Sequence, residues 1–112
     1  MILITNDAWF GKAAGPYQHL AQAQLRAIEQ GLPMVRVANT GVSAMIDANG
    51  KITGTIALNE AGSIDLPLPP AKPATLYAKT GDWPTFAGLI IMLSILIVRR
   101  SQKSLDRPTT AA

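Results

Sequence analysis

Cysteine is absent from all 112 residues. That excludes disulfides, thiolate metal sites and a cysteine nucleophile. Histidine occurs once, at His19, too few for a histidine-based metal cluster, so neither a metal nor a cofactor is expected. Over residues 1–82 there is no excess of either charge: Lys12, Arg26, Arg36, Lys51, Lys72 and Lys79 balance Asp7, Glu29, Asp47, Glu60, Asp65 and Asp82. The formal charge of +3 therefore belongs to the tail, where Arg99, Arg100, Lys103 and Arg107 face Asp106 alone. No aromatic residue is interleaved with those tail charges, which excludes a nucleic-acid-binding face. There are no internal repeats. The opening Met1, Ile2, Leu3 and Ile4 lacks a basic start, a long apolar core and a cleavage site, so it is no secretory signal. Residues 1–5 read instead as a short strand buried on both faces. A domain rarely opens in its own core, so the chain is expected to start within a fold.

What is present is unevenly spread. Apolar residues make up 48% of the chain and concentrate in residues 83–98, interrupted only by Pro84, Thr85, Gly88 and Ser94. Sixteen residues of helix reach about 24 Å, a little short of a hydrocarbon core of about 30 Å. Arg99 and Arg100 can snorkel and Trp83 suits an interface, so a slightly longer helix spans. With no polar face to the run, a transmembrane helix over residues 83–100 is the expectation, and a buried soluble helix the alternative.

Upstream, periodicity predicts an α/β pattern. After a loop over residues 6–15, Pro16 opens a helix and Gly31 closes it. Tyr17, Ala21, Leu25, Ile28 and Leu32 form its apolar stripe, with Gln18, Gln22, Arg26 and Glu29 opposite. Two strand-like runs follow: Val35, Val37 and Asn39 share one face of the first, Val42, Ala44 and Ile46 one face of the second. Asn49-Gly50 predicts a hairpin into a third run, with Ile52, Ile56 and Leu58 on one side. The proline-rich residues 66–73 are stiff and extended, a linker rather than an element.

The most informative cluster is Thr-Asn-Asp-Ala-Trp-Phe-Gly at residues 5–11. A strand runs straight into small polar side chains and two large aromatics, at the strand end where α/β proteins place ligands. Asn6 and Asp7 as hydrogen-bonding groups, with Trp9 and Phe10 as an apolar wall, are the candidate pocket residues. The competing reading is an Asx-turn with two core aromatics. Arg26 and Glu29 lie three apart on the helix, a pair worth about 0.2–0.5 kcal/mol when exposed. Glu29 is disfavoured by the helix dipole, which hints at a further partner, but a plain solvated pair with Arg26 is the preferred reading. His19 reads as an ordinary surface residue. Asn39-Thr40-Gly41 reads as a turn with its glycine at an unusual backbone angle.

Taken in order, these segments resemble the nitrilase superfamily and, within it, the apolipoprotein N-acyltransferase branch. The resemblance rests on residues 5–11, Gly15-Pro16 with Gln18-His19, Arg26-Ala-Ile-Glu29, and Pro33 through Arg36 to Asn39-Thr40-Gly41. It continues in Tyr-Ala-Lys-Thr-Gly-Asp-Trp-Pro at residues 77–84, leading into the apolar run. Soluble nitrilases are similar in the first half; residues 77–84 and the run point to the acyltransferase branch. The implied fold is a partial αββα sandwich followed by one C-terminal transmembrane helix. The implied layout is a nitrilase-like part at 1–65, a linker and pre-membrane segment at 66–82, the membrane helix at 83–100 and a basic polar tail at 101–112.

The resemblance implies that a cysteine thiolate takes an acyl chain from a phospholipid as a thioester and passes it to the α-amino group of a diacylglyceryl-cysteine on an apolipoprotein. A glutamate and a lysine assist. None of the three can be placed here. The cysteine is expected just upstream of the strand that begins at Met1, the glutamate and lysine further upstream. Glu29, Glu60, Lys12 and Lys51 do not sit in the matching motifs. The implied partners are a phospholipid acyl donor, an apolipoprotein acceptor and a bilayer, with no nucleic acid. The implied location is a bacterial inner membrane, with the basic tail cytoplasmic and residues 1–82 periplasmic. Two rival classes remain: a fragment of a nitrilase-family amidase, and a small non-enzymatic membrane-anchored protein.

Overall fold

The computed structural model describes residues 1–105. The chain divides into two compact units, residues 1–79 and the segment from Thr80 onward. The first is a four-stranded sheet in the order β1-β2-β3-β4, with one helix against it. β1 (Ile2–Asn6) pairs in parallel with β2 (Met34–Asn39), a pairing that needs a crossover, and α1 (Gly15–Gln30) supplies it. β3 (Ser43–Ile46) and β4 (Ile52–Ile56) add antiparallel neighbours. The mixed α/β class predicted from periodicity is the one observed.

α1 carries Pro16 in its first turn, where a fixed φ and missing N–H are suited, and stops at Gly31. Gly31 adopts φ 66°, its N–H meets the Ile28 carbonyl, and the Leu32 N–H reaches Ala27. This is a Schellman stop, which satisfies two end carbonyls and asks for a left-handed residue that glycine fills without strain. The face turned to the sheet differs from the predicted stripe. Pro16, Leu20, Ala23 and Ala27 are buried, while Tyr17, Leu25, Ile28 and Leu32 stay 37–57% exposed and Ala21 is exposed too. The alanines let the helix backbone lie close on Met34, Val42, Ala44 and Ile46; the bulkier stripe lies to the side. Each large side chain buried there, Ile46 foremost, contributes about 2 kcal/mol.

Two strand expectations also change. β1 is not buried on both faces: Ile2 and Ile4 are 75% and 78% exposed, because only the face carrying Leu3 meets the core. The register shifts between Met45 and Ile46, so Ile46 pairs with Ile52 but Ser43 with Ile56. A shift of one residue reverses side-chain direction. Ile52 and Leu58 therefore pack on the core, while Ile56 lines the other sheet face with Val35 and Met45.

The β3–β4 hairpin turns through Asp47, Asn49 and Gly50. The Asp47 carboxylate accepts the N–H groups of Asn49 (2.8 Å) and Lys51 (2.9 Å), and Gly50 takes φ 79°. The Lys51 N–H first, then that of Asn49 and the Lys51 charge, hold the Asp47 carboxyl below its ordinary pKa against a smaller opposing desolvation. With the folded pKa depressed, the stabilisation is present above the unfolded value, about 4, and is lost as pH falls through the folded one. Between about pH 5 and pH 3 the urea midpoint should therefore fall more in the parent chain than in Asp47→Asn. Equal acid sensitivity of the two would refute this role.

Residues 66–73 form no helix or strand, yet they are tied to the first unit. The Lys72 N–H donates to the Gly31 carbonyl at 2.8 Å, the Lys72 ammonium to the Asn49 side chain, and the Thr75 hydroxyl to the Glu29 carbonyl. Thr75 also accepts the Ala78 N–H, starting the short helix α2 (Leu76–Thr80).

In the second unit, α3 runs Trp83–Leu105. The Asp82 carbonyl accepts the Thr85 and Phe86 N–H groups at its start. Its stretch Trp83–Lys103 is long and apolar enough to cross a membrane. Those 21 residues reach about 32 Å, so the helix is longer than the apolar run alone predicts. The helix continues through Ser101 into the segment expected to be a polar tail. The rest of that expected tail, residues 106–112, lies outside the described residues.

Candidate functional site

The parallel strands β1 and β2 end side by side at Asn6 and Asn39, which are paired in register. There the chain leaves the sheet and turns inward. The Asp7 N–H still reaches the Asn39 carbonyl (3.0 Å), and the Asp7 side chain is fully buried. Its carboxylate meets Arg36 Nη2 at 2.5 Å and His19 Nδ1 at 2.9 Å, with the Thr5 hydroxyl at 3.4 Å. Arg36 comes from the middle of β2 on the face toward α1 and is 1% exposed. Its Nε donates to the Val42 carbonyl at 3.1 Å, while Nη1 is buried without a partner among the described residues.

These contacts fix the tautomer of His19. A carboxylate oxygen only accepts, so Nδ1 carries the hydrogen. Nδ1 then cannot also accept from Arg36 Nη2, and the 3.4 Å between them is a close approach of two donors on one carboxylate. The turn between β2 and β3 closes the cluster from below. A Cβ at Gly41 would overlap the Asp7 carboxylate, so only glycine fits. The left-handed residue of that turn is Thr40 (φ 59°), not the glycine as its motif predicts. Gly41 is there for space rather than backbone angle.

Above the cluster, a one-turn 3-10 helix (Ala8–Phe10) carries the aromatics. Asn6 Oδ1 accepts the Ala8 N–H (3.1 Å) and the Asp7 carbonyl accepts that of Phe10 (3.0 Å). The Asx-turn is thus present, but the aromatics are not core: Trp9 is 88% and Phe10 50% exposed. Phe10 lies against His19, with ring centroids 5.3 Å apart and planes inclined at 50°. Asn6, Asp7, Trp9 and Phe10 therefore share one loop, with Asp7 as its buried anchor and the aromatics facing outward.

His19 is not an ordinary surface residue, and Arg36 was not among the sequence candidates. Arg36 did leave a signal, an arginine inside the apolar strand Met-Val-Arg-Val-Ala, which demands an acceptor once that strand is buried. Glu29 takes Arg26 as partner at 3.0 Å. A separate open groove of about 280 Å³ lies along Val35, Val37, Ser43, Met45, Ile56 and Leu66, and holds none of the sequence candidates.

Residues 1–97 match the model of the family described as carbon-nitrogen hydrolase. The chain belongs to the carbon-nitrogen hydrolase family. Among similar proteins are the apolipoprotein N-acyltransferases of Bradyrhizobium diazoefficiens, 46% identical over 108 residues, and of Rhodopseudomonas palustris, 47% over 100 residues. That of Shewanella oneidensis is 39% identical over 103 residues. These matches cover 96%, 89% and 92% of this chain but 20%, 19% and 20% of the relatives. This carbon-nitrogen hydrolase chain thus spans about a fifth of the length of the curated relatives it matches.

Proposed function

We propose that this chain is the part of an apolipoprotein N-acyltransferase that supplies one wall of the acyl site and a membrane anchor. The observation that carries the reading is the similarity to three such proteins across 89–96% of the chain, apolar helix included. In this reading the donor is a phospholipid and the acceptor a diacylglyceryl-cysteine at the start of an apolipoprotein. The thiolate, the glutamate and the lysine of the chemistry come from the remaining four fifths of such a protein. Trp9 and Phe10 form the apolar wall, with Asn6 and Asp7 shaping the loop beneath.

The layout follows the same reading. The sheet face carrying Ile2, Ile4 and Val37, 49–78% exposed here, is the face a second sheet covers to complete an αββα sandwich. α3 spans the inner membrane, with Arg99, Arg100 and Lys103 at its cytoplasmic end and residues 1–82 on the periplasmic side.

A chimera tests the proposal. The matching 108 residues of the Bradyrhizobium diazoefficiens relative are replaced by those of this chain. The chimera should transfer acyl groups from phospholipid to a diacylglyceryl peptide. Trp9→Ala or Phe10→Ala should lower kcat/KM for the phospholipid, per folded molecule, by at least about tenfold. Loss of activity only in step with loss of folded protein would make the pair structural and sink the wall assignment.

A further inference from the structure

We propose that His19 is a positioning residue that sets the orientation of the Trp9–Phe10 wall and, through it, the fit of the acyl donor; this rests on the acyl-transfer reading above. His19 touches both ends of the one-turn helix that carries the wall. Its Nδ1–H is held by Asp7, the residue that precedes the turn, at 2.9 Å. Its ring lies 5.3 Å from that of Phe10, the last residue of the turn. The Phe10 N–H to Asp7 carbonyl bond closes the loop between those two contacts.

Charge is not what this position supplies. Arg36 already neutralises Asp7 at 2.5 Å inside the core, so a second cation would add little that a neutral donor does not. The place calls for a short N–H donor and a flat ring in one side chain, and histidine combines them. Its side chain is 23% exposed, between the buried Asp7 and the open aromatics. It therefore links the fixed geometry of the Asp7–Arg36 pair to the Phe10 end of the loop. Trp9, 88% exposed, takes its direction from the backbone of that turn.

The two halves separate by substitution. In His19→Asn the side-chain amide keeps a donor at the distance of Nδ1 but loses the ring; His19→Phe keeps the ring and loses the donor. In the chimera, each is expected to raise KM for the phospholipid about fivefold or more, with kcat changed less than about twofold, the signature of altered donor binding. In a Phe10→Leu background, His19→Asn should raise KM no further, because the contact it removes is already gone. A structural role alone would lower the yield of folded enzyme, leave KM unchanged, and act independently of Phe10. An active chimera with unchanged KM, or with additive effects, overturns the proposal while the acyl-transfer reading stands. An unmodified chimera that folds but transfers nothing overturns both. Should the His19 variants accumulate poorly, Phe10→Leu alone, at a half-exposed position, carries the same test: unchanged KM there also overturns the proposal.

Discussion

Replacing Arg36 by methionine should destabilise residues 1–79 by about 3–5 kcal/mol, a large part of the roughly 5–15 kcal/mol that holds a small domain together. Methionine replaces the arginine stem but not the guanidinium, so most of the loss is electrostatic, with a smaller part from the space left behind. Asp7 would remain fully buried with only the His19 N–H and the distant Thr5 hydroxyl, and the Val42 carbonyl would lose its donor. Removing both charges is a different matter. Arg36 buries Nη1 without an acceptor, and such an orphan costs about 1–3 kcal/mol. An Asp7→Ala, Arg36→Met pair removes the carboxylate, the orphan and the desolvation of both ions. The double variant should therefore be more stable than Arg36→Met alone, with a coupling of about 2 kcal/mol or more. Urea midpoints followed by hydrogen exchange in the β1 and β2 amides check this, since α3 would mask the change in a helix signal. A shift below about 1 kcal/mol for Arg36→Met would show the pair to be dispensable.

The same cluster marks the limit of what the sequence discloses. The strands, the helix ends and the hairpin were legible because each rests on a local rule: alternation, Pro16 and Gly31 at the two ends of α1, Asn49-Gly50 at the turn. The buried face of α1 departs from its apolar stripe for a physical reason. Counting large apolar residues selects Tyr17, Leu25, Ile28 and Leu32, but close packing on a sheet selects small ones, and Ala23 and Ala27 take the contact. The face reversal between Ile52 and Ile56 depends on a register shift that no local pattern announces. Of the site, the loop carrying Asn6, Asp7, Trp9 and Phe10 was visible as a strand running into polar and aromatic residues. Its partners were not, because His19 lies 12 residues from Asp7 and Arg36 lies 29. Those separations carry no periodicity, and only the parallel β1–β2 pairing with α1 crossing between brings the three side chains together.

Supplied with phospholipid and a diacylglyceryl peptide in detergent, the 112-residue chain alone should form no N-acylated product above a protein-free control. Thioester formation needs a thiol, and the chain has none. A serine ester would be the substitute, but Ser43, Ser63 and Ser94 are poorly placed for it. The Ser43 hydroxyl is held by the Ala38 backbone, accepting its N–H at 3.0 Å. Ser63 lines the open groove with Val35 and Met45, where neither Asp7 nor His19 is found. Ser94 donates to the Ile90 carbonyl at 2.8 Å within the apolar helix. Neither Ser43 nor Ser63 stands in a Gly-x-Ser-x-Gly turn that would expose its hydroxyl beside donors for an oxyanion. The Asp7–His19 pair has the geometry of a base with its orienting carboxylate, but no hydroxyl is hydrogen-bonded to the His19 ring among the described residues, and that of Thr5 points at Asp7 instead. A dyad without a nucleophile orients a ring and transfers nothing. The chimera supplies what is missing, so turnover there together with silence from the isolated chain separates the wall from the chemistry. Clear turnover by the isolated chain would place the reaction in side chains assigned here to packing and positioning, with Ser43 and His19 the first to be replaced.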